Sequence, residues 1–471
     1  MTTTTASAAL PEPDTTVAWT SQWPSAIASY ALMLVATISG VLLVILARRH
    51  SPTAVVLVIL ATVACGGIAW SERRTARLKL APVVVAILIV FGVGVARPPR
   101  TSSDLWSYTM YGRIVSVHGE SPYKKLPIDF PTDPLFKRVN PVWRRRASVF
   151  GPAYIAFAAG GTALAGDSRL GSRLFFQISA AIGAGAVLLL VWRRTRSPAA
   201  LAWLGLHPVF GAVVNGGHND IFVALGILIA AALVTRRRGW AAGFVIGFVA
   251  LMKLTVLLAL AGIVLWAWRQ RERRVAVTCA ITAGAMVVVG YLPILASAVH
   301  VLRGADKTVT PASLWNPLAA ALVGHNAGRD LAHPLAPNAT LAAIDVGALL
   351  TVAIVAVVLG WRATRRPRPD LTIGVTTASY TVAAEYALPW YAVWALPLLT
   401  ERRPSLFAWI VWIQAAVMLA AVRLPLHPNT SMLDTIVRGT LTYAAPIACF
   451  IAFVVAGLLA TRSPPPEPKV V

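Results

Sequence analysis

The stretch TSSDLWSYTMYGRIVSVHGESPY, residues 101–123, is both polar and dense in residues that can do chemistry, and apolar runs flank it. Asp104 lies a few residues past one such run, 80–96, close to Trp106, Tyr108 and Tyr111. A carboxylate at a membrane surface beside aromatic rings suits a general base that takes the proton of a hydroxyl on a lipid-delivered substrate. Ser-Ser-Asp ahead of Leu-Trp-Ser-Tyr is also a helix-capping signal. The two roles are compatible, because a capping carboxylate can still face a substrate.

Three further groups are polar where the chain is otherwise greasy. The first is His207-Pro208 followed by Asn215-Gly216-Gly217-His218-Asn219-Asp220, at the outer end of one apolar run and the start of the next. Such a cluster reads either as a turn whose Asn and Asp satisfy backbone donors or as a functional intramembrane site, in which His218, Asn219 and Asp220 contact substrate. The second is Lys253, an ammonium inside an apolar stretch, which either pairs with Asp220 or Glu385 or binds a phosphate. The third is Glu385-Tyr386 with Pro389-Trp390-Tyr391, whose rings either form an interfacial belt or stack on a sugar or lipid. In the polar stretch itself, Arg113, Lys124, Lys125, Lys137, Arg138 and Arg144 to Arg146 would meet anionic headgroups, with some of them free to bind an anionic acceptor or donor phosphate.

These residues need a scaffold, and the composition says what kind. The chain has 471 residues, of which 57% are hydrophobic and 13% charged. Soluble domains carry about 25% charged residues. Apolar runs of span length recur from end to end, and hydrocarbon leaves the backbone no partner but itself. The expected fold is all-α, a polytopic transmembrane bundle. Candidate spans are 27–46, 53–70, 80–96, 174–192, 198–214, 221–235, 240–251, 254–268, 275–296, 341–361, 371–388, 390–399, 406–422 and 440–460, about fourteen in all. Cys65, Cys279 and Cys449 fall in or beside these runs with no metal-ligand spacing, so they read as small buried hydrophobes. The net charge of +24 comes from short arginine clusters between the runs, a topology signal rather than a nucleic-acid surface.

Arg73 to Arg77, Arg193 to Arg196, Arg236 to Arg238, Arg269 to Arg274, Arg362 to Arg368 and Arg402-Arg403 should all be cytoplasmic. That puts Asp104 outside and both termini inside, with Arg48-Arg49 the exception. The run 150–165, short and rich in Gly and Ala, is then an interfacial helix. Residues 240–268 and 371–399 have cytoplasmic clusters at both ends but are only about 29 residues each, where one span needs about 20. Each must be a hairpin of short or broken helices, tolerated only where it lines a cavity or packs in protein. The expected organisation is a cytoplasmic tail (1–26), one integral domain (27–461) with an external catalytic loop (97–173) and a second external loop (297–340), and a cytoplasmic tail (462–471). No P-loop, HExxH, GxSxG or dinucleotide fingerprint occurs, and no Asp-x-Asp pair in the external loop suggests a metal–nucleotide site. Neither cofactor nor metal is expected.

Asp104-Leu-Trp-Ser-Tyr108, Gly119-Glu-Ser-Pro-Tyr123 and Phe150-Gly-Pro152, followed by the HP…GGHND stretch, the Lys253 hairpin and Pro389-Trp-Tyr391, resemble in order and placement the membrane glycosyltransferases of the GT-C class. The chain is most similar to the actinobacterial polyprenol-phosphate-mannose-dependent α-mannosyltransferases of lipomannan and phosphatidylinositol-mannoside assembly, over most of residues 80–399. The resemblance implies an inverting hexose transfer at the outer face of the plasma membrane, from a polyprenyl-phosphate sugar to a glycolipid or lipoglycan. Asp104 is then the base, with Lys253 or a loop arginine on the phosphate leaving group. A flippase for a lipid-linked glycan, or an arabinofuranosyl- or glucosyltransferase, would use a similar scaffold.

Overall fold

The structure, a computed structural model, describes residues 23–46, 51–72, 77–100, 102–297, 309–323, 339–424 and 431–459. The Arg48-Arg49 pair, Arg73 and Arg74, most of the loop 297–340 and most of both tails lie outside the described residues. Among the described residues all regular structure is helical, as the apolar runs require.

In chain order the helices are α1 (Trp23–Ile45), α2 (Pro52–Ser71), α3 (Leu80–Ala96), α4 (Asp104–Ser116), α5 (Pro152–Ala165), α6 (Arg169–Thr195), α7 (Pro198–Gly205), α8 (Pro208–Gly216), α9 (Asp220–Thr235) and α10 (Gly239–Ala250). They continue with α11 (Leu257–Arg269), α12 (Arg273–Tyr291), α13 (Asn316–Val323), α14 (Ala339–Ala363), α15 (Pro369–Ala383), α16 (Leu406–Ala421), α17 (Met432–Gly439) and α18 (Ala445–Leu459). By length and composition six described helices can cross a membrane, or seven if α7 and α8, bent by 55°, count as one. Six shorter apolar helices of 10–17 residues accompany them. The three cysteines are buried and free.

The breaks fall where the backbone dictates. Pro208 starts α8 and keeps His207 out of the helix at φ −57°, ψ 131°. Lys253 is extended at φ −155°, ψ 113°, between α10 and a 3₁₀ turn, Leu254–Val256. The second hairpin is more broken than its hydropathy suggests. Residues 390–399, expected as a span, form a 3₁₀ helix, Pro389–Trp394, and a single turn, Leu396–Leu399. The cause is two prolines, Pro389 and Pro397, which remove donors and hold Leu388 extended. Every residue of Pro389–Trp394 is nonetheless buried, packed between α9 and α16. This irregular segment sits in the protein core, where nonhelical backbone is tolerated at membrane depth.

The polar loop docks onto the first hairpin. Helices α4 and α5 pack together, and α5 lies against α6. Gly151 N donates to Met252 O (3.1 Å) and Ala153 N to Leu251 O (2.9 Å). A Cβ at residue 151 would collide with the Leu251 carbonyl, so only glycine allows this approach. The start of α5 is thereby tied to the residues just before Lys253.

Candidate active site

Asp104 is the first residue of α4, with Ser103 at the cap position. Its backbone N–H donates to Ser102 Oγ (3.1 Å). A carboxylate in the first turn is favoured by the helix dipole. The side chain is 22% exposed, and its Oδ2 lies 3.7 Å from His218 Nδ1. Tyr108, one turn further along the same face of α4, places its hydroxyl 3.5 Å from that same nitrogen. Edge-on contacts with Phe150 (5.0 Å) and Tyr154 (5.2 Å) hold the Tyr108 ring.

His218 comes from the turn between α8 and α9. Gly217 makes that turn at φ +61°, a left-handed conformation in which a Cβ would also press on Phe176. The imidazole is buried and stacks on Trp390 at 3.8 Å and 21°. Asn219 is fully buried, and its amide oxygen and nitrogen have no hydrogen-bond partner among the described residues.

Asp220 opens α9 and is also buried. Its Oδ1 accepts from Lys253 Nζ (2.7 Å) and from Trp394 Nε1 (2.9 Å). Its Oδ2 has no partner among the described residues. The Lys253 ammonium lies 4.0 Å from the centre of the Tyr391 ring and 4.8 Å from that of Trp394, so two ring faces compensate part of its lost hydration.

The two groups are physically one site. Residues 218–220 supply both the histidine and the aspartate, and the segment Pro389–Trp394 supplies a ring to each: Trp390 to His218, Tyr391 and Trp394 to Lys253. Among the described residues the arrangement offers a partly exposed carboxylate, a buried imidazole, a cation with one carboxylate contact, and polar atoms without hydrogen-bond partners. Those are the parts needed to accept a proton at one point and stabilise an anion at another.

Other expected residues are placed elsewhere. Glu385 is half-buried, and its backbone oxygen accepts from Thr310 N (2.9 Å) and Oγ1 (3.2 Å), holding the short segment ahead of α13. Tyr123 donates to Phe150 O (2.9 Å) and packs with Met110, Tyr111 and Ile114 in the loop's own core. Arg113 is 1% exposed and bonds Asp133 (2.8 Å), Asp167 (2.7 Å) and Gly166 O (2.7 Å). Burial alone would raise the Asp133 carboxyl, yet the Leu135 amide, Arg113 and His118 hold it below the ordinary carboxylate value. A cavity of about 530 Å³ opens not beside Asp104 but at the end of α2, lined by Glu72, Arg196, Ser197, Glu401, Arg402 and Arg403. Trp394 was not singled out from the sequence, although its position three residues after Tyr391 marked it as a neighbour on a one-turn repeat.

The sequence is similar to known proteins along much of its length. A family model described as alpha-(1->6)-mannopyranosyltransferase, N-terminal domain, matches residues 4–270, more than half of the chain. Alpha-(1->6)-mannopyranosyltransferase A of Mycobacterium tuberculosis is 28% identical over 373 residues, covering 71% of this chain and 66% of the relative. A Mycolicibacterium smegmatis protein named as a probable alpha-(1->6)-mannopyranosyltransferase is 24% identical over 397 residues, covering 73% of this chain and 68% of the relative. The chain thus spans about two thirds of the length of the relatives it matches.

Proposed function

The chain belongs to the alpha-(1->6)-mannopyranosyltransferase family, and on that premise we propose that it transfers mannose from a polyprenyl-phosphate donor to a glycolipid or lipoglycan acceptor, with Asp104 as general base. The observation that carries the reading is the approach of Asp104 to His218, whose turn continues into the Asp220–Lys253 pair. The acceptor hydroxyl gives its proton to Asp104 as its oxygen forms the new bond to the anomeric carbon. The bond from that carbon to the donor phosphate oxygen breaks, and the lipid phosphate leaves with the electron pair. Lys253 meets that developing anion, exchanging part of its contact with Asp220. Attack from the face opposite the leaving group inverts the anomeric centre. Tyr108, His218 and Asn219 line the reacting region, with Trp390 backing the imidazole and Tyr391 the ammonium.

The reading includes a GT-C scaffold of about fourteen crossings once the shorter helices are counted as broken or partial spans. It places the site at the external face of the plasma membrane and both termini in the cytoplasm, with α5 an interfacial helix. The arginine clusters support that sidedness.

The test is product formation by the purified full chain in detergent micelles, from polyprenyl-phosphate mannose and an octyl α-(1→6)-dimannoside. Turnover without two compartments rules against a flippase, and glucosyl or arabinofuranosyl donors in parallel identify the sugar. An Asp104→Asn protein that keeps its turnover would discard Asp104 as the base.

A further inference from the structure

Behind the site lies a buried polar node that the proposed transfer does not use. Asn215, in the last turn of α8, is fully buried. Its Nδ2 donates to the carbonyls of Gly94 (3.0 Å), Arg97 (3.2 Å) and Pro98 (3.1 Å), and its Oδ1 accepts from Arg100 N (2.8 Å). Gln177, fully buried on α6, donates through Nε2 to Gly94 O (3.2 Å), Arg97 O (3.0 Å) and the backbone oxygen of Asn215 (2.7 Å). These carbonyls include ones orphaned by the end of α3, in surroundings where an unmet polar group is costly. On the far side Arg423 Nη1 donates to Arg100 O (3.1 Å).

We propose that Asn215 and Gln177 are positioning residues that fix where Asp104 meets His218. The inference rests on Asp104 being the base. Asn215 is three residues before His218, and the amide it grips, Arg100, is four before Asp104. One side chain therefore bridges the two chain segments that carry the base and its neighbouring histidine, with few rotatable links on either side. These bonds of Asn215 and Gln177 end on backbone atoms, so they hold the path of the chain rather than any one side chain. A misplacement of about 1 Å at a reacting group can cost about 10²-fold in rate.

The test uses the full chain in micelles with the same donor and dimannoside, and reads kcat, donor KM and the thermal transition of each variant. Asn215→Ala lowers kcat about 30- to 100-fold with donor KM held within about threefold and a cooperative transition retained. Gln177→Leu, which leaves the four Asn215 bonds, shows the same pattern at about 3- to 10-fold. In an Asp104→Asn background Asn215→Ala adds no further loss, because its effect passes through the carboxylate. Wild-type kcat in both single variants overturns the proposal. So does a loss carried by KM, or one that tracks the unfolded fraction. If Asn215→Ala does not fold, Gln177→Leu decides by the same split, and failure of both to fold makes the node scaffold only. Asp104→Asn separates the two readings. If it retains kcat the base assignment fails whatever Asn215 does. If it loses kcat while neither Asn215→Ala nor Gln177→Leu does, only the positioning role fails.

Discussion

Two cations that meet carboxylates, buried Arg113 and half-buried Lys253, are finished differently. Arg113 donates from Nε to both oxygens of Asp133, from Nη2 to Asp167 and from Nη1 to a carbonyl. Asp133 also accepts from Leu135 N (2.9 Å) and from His118 Nε2 (2.9 Å). Both its oxygens have partners, and its side chain is fully buried. Lys253 has one carboxylate oxygen and two ring faces, while the second oxygen of Asp220 and the whole amide of Asn219 have no partner among the described residues. The difference separates a staple from a site. A buried polar group left without a partner costs about 1–3 kcal/mol, and beside Lys253 the fold gathers three such atoms, Asp220 Oδ2 and the Oδ1 and Nδ2 of Asn219, on adjacent residues.

The sharpest way to break the comparison is to remove one carboxylate at the site and one cation at the staple. Asp104→Asn should lower kcat by about 10²–10⁴-fold with the thermal transition unmoved. Arg113→Met should do the reverse. Stranding buried Asp133 costs about 3–5 kcal/mol, while kcat per folded molecule stays near wild type. Asp133 is the partner that counts, since Asp167 is 75% exposed and such pairs contribute little. Lys253→Met lies between these extremes and should lose both transfer and stability, because it uncovers Asp220 and removes the cation that meets the phosphate. If Arg113→Met abolished kcat in fully folded protein, the two clusters would not be different in kind.

A milder perturbation is pH. The Asp133 carboxyl is held below its ordinary value in the folded loop. Its contribution is therefore complete above the unfolded value of about 3.9 and is lost as pH falls through the folded one. Limited proteolysis of the loop between α4 and α5 should stay slow down to about pH 4 and accelerate below it. Asp133→Asn should be cleaved faster at neutral pH and lose most of that acid dependence. Asp104→Asn should follow wild type throughout.

The sequence made one member of the comparison far more visible than the other. His218, Asn219, Asp220 and Lys253 stand out because each is a polar type stranded in an apolar run, and Trp390 and Tyr391 because they follow a proline there. Arg113 sits in a polar loop among other cations, and its partners are 20 and 54 residues away, so no local spacing reveals its use. The helices were legible almost element by element, since hydrocarbon permits little else. Residues 390–399 were not, because hydropathy averages over Pro389 and Pro397. Asn215 was legible as part of the polar turn, but its hold on residues 94–100 was not, since those partners are backbone atoms and carry no residue type.

The smallest effect tests what makes Lys253 available. If ring faces rather than a hydroxyl compensate the ammonium, Tyr391→Phe should change kcat and donor KM by less than about twofold, because the face 4.0 Å from Nζ is kept. Tyr391→Ala removes that face and should cost about 0.5–2 kcal/mol, with Lys253 drawn more firmly onto Asp220 and donor KM raised. Trp394 stacks on Tyr391 at 4.6 Å and 19°, so it should hold the ring plane in the Phe variant. Should Phe cost as much as Ala, the phenol oxygen rather than the ring is the working part. Lys253 would then be compensated mainly by Asp220 and resemble Arg113 more closely than its contacts suggest.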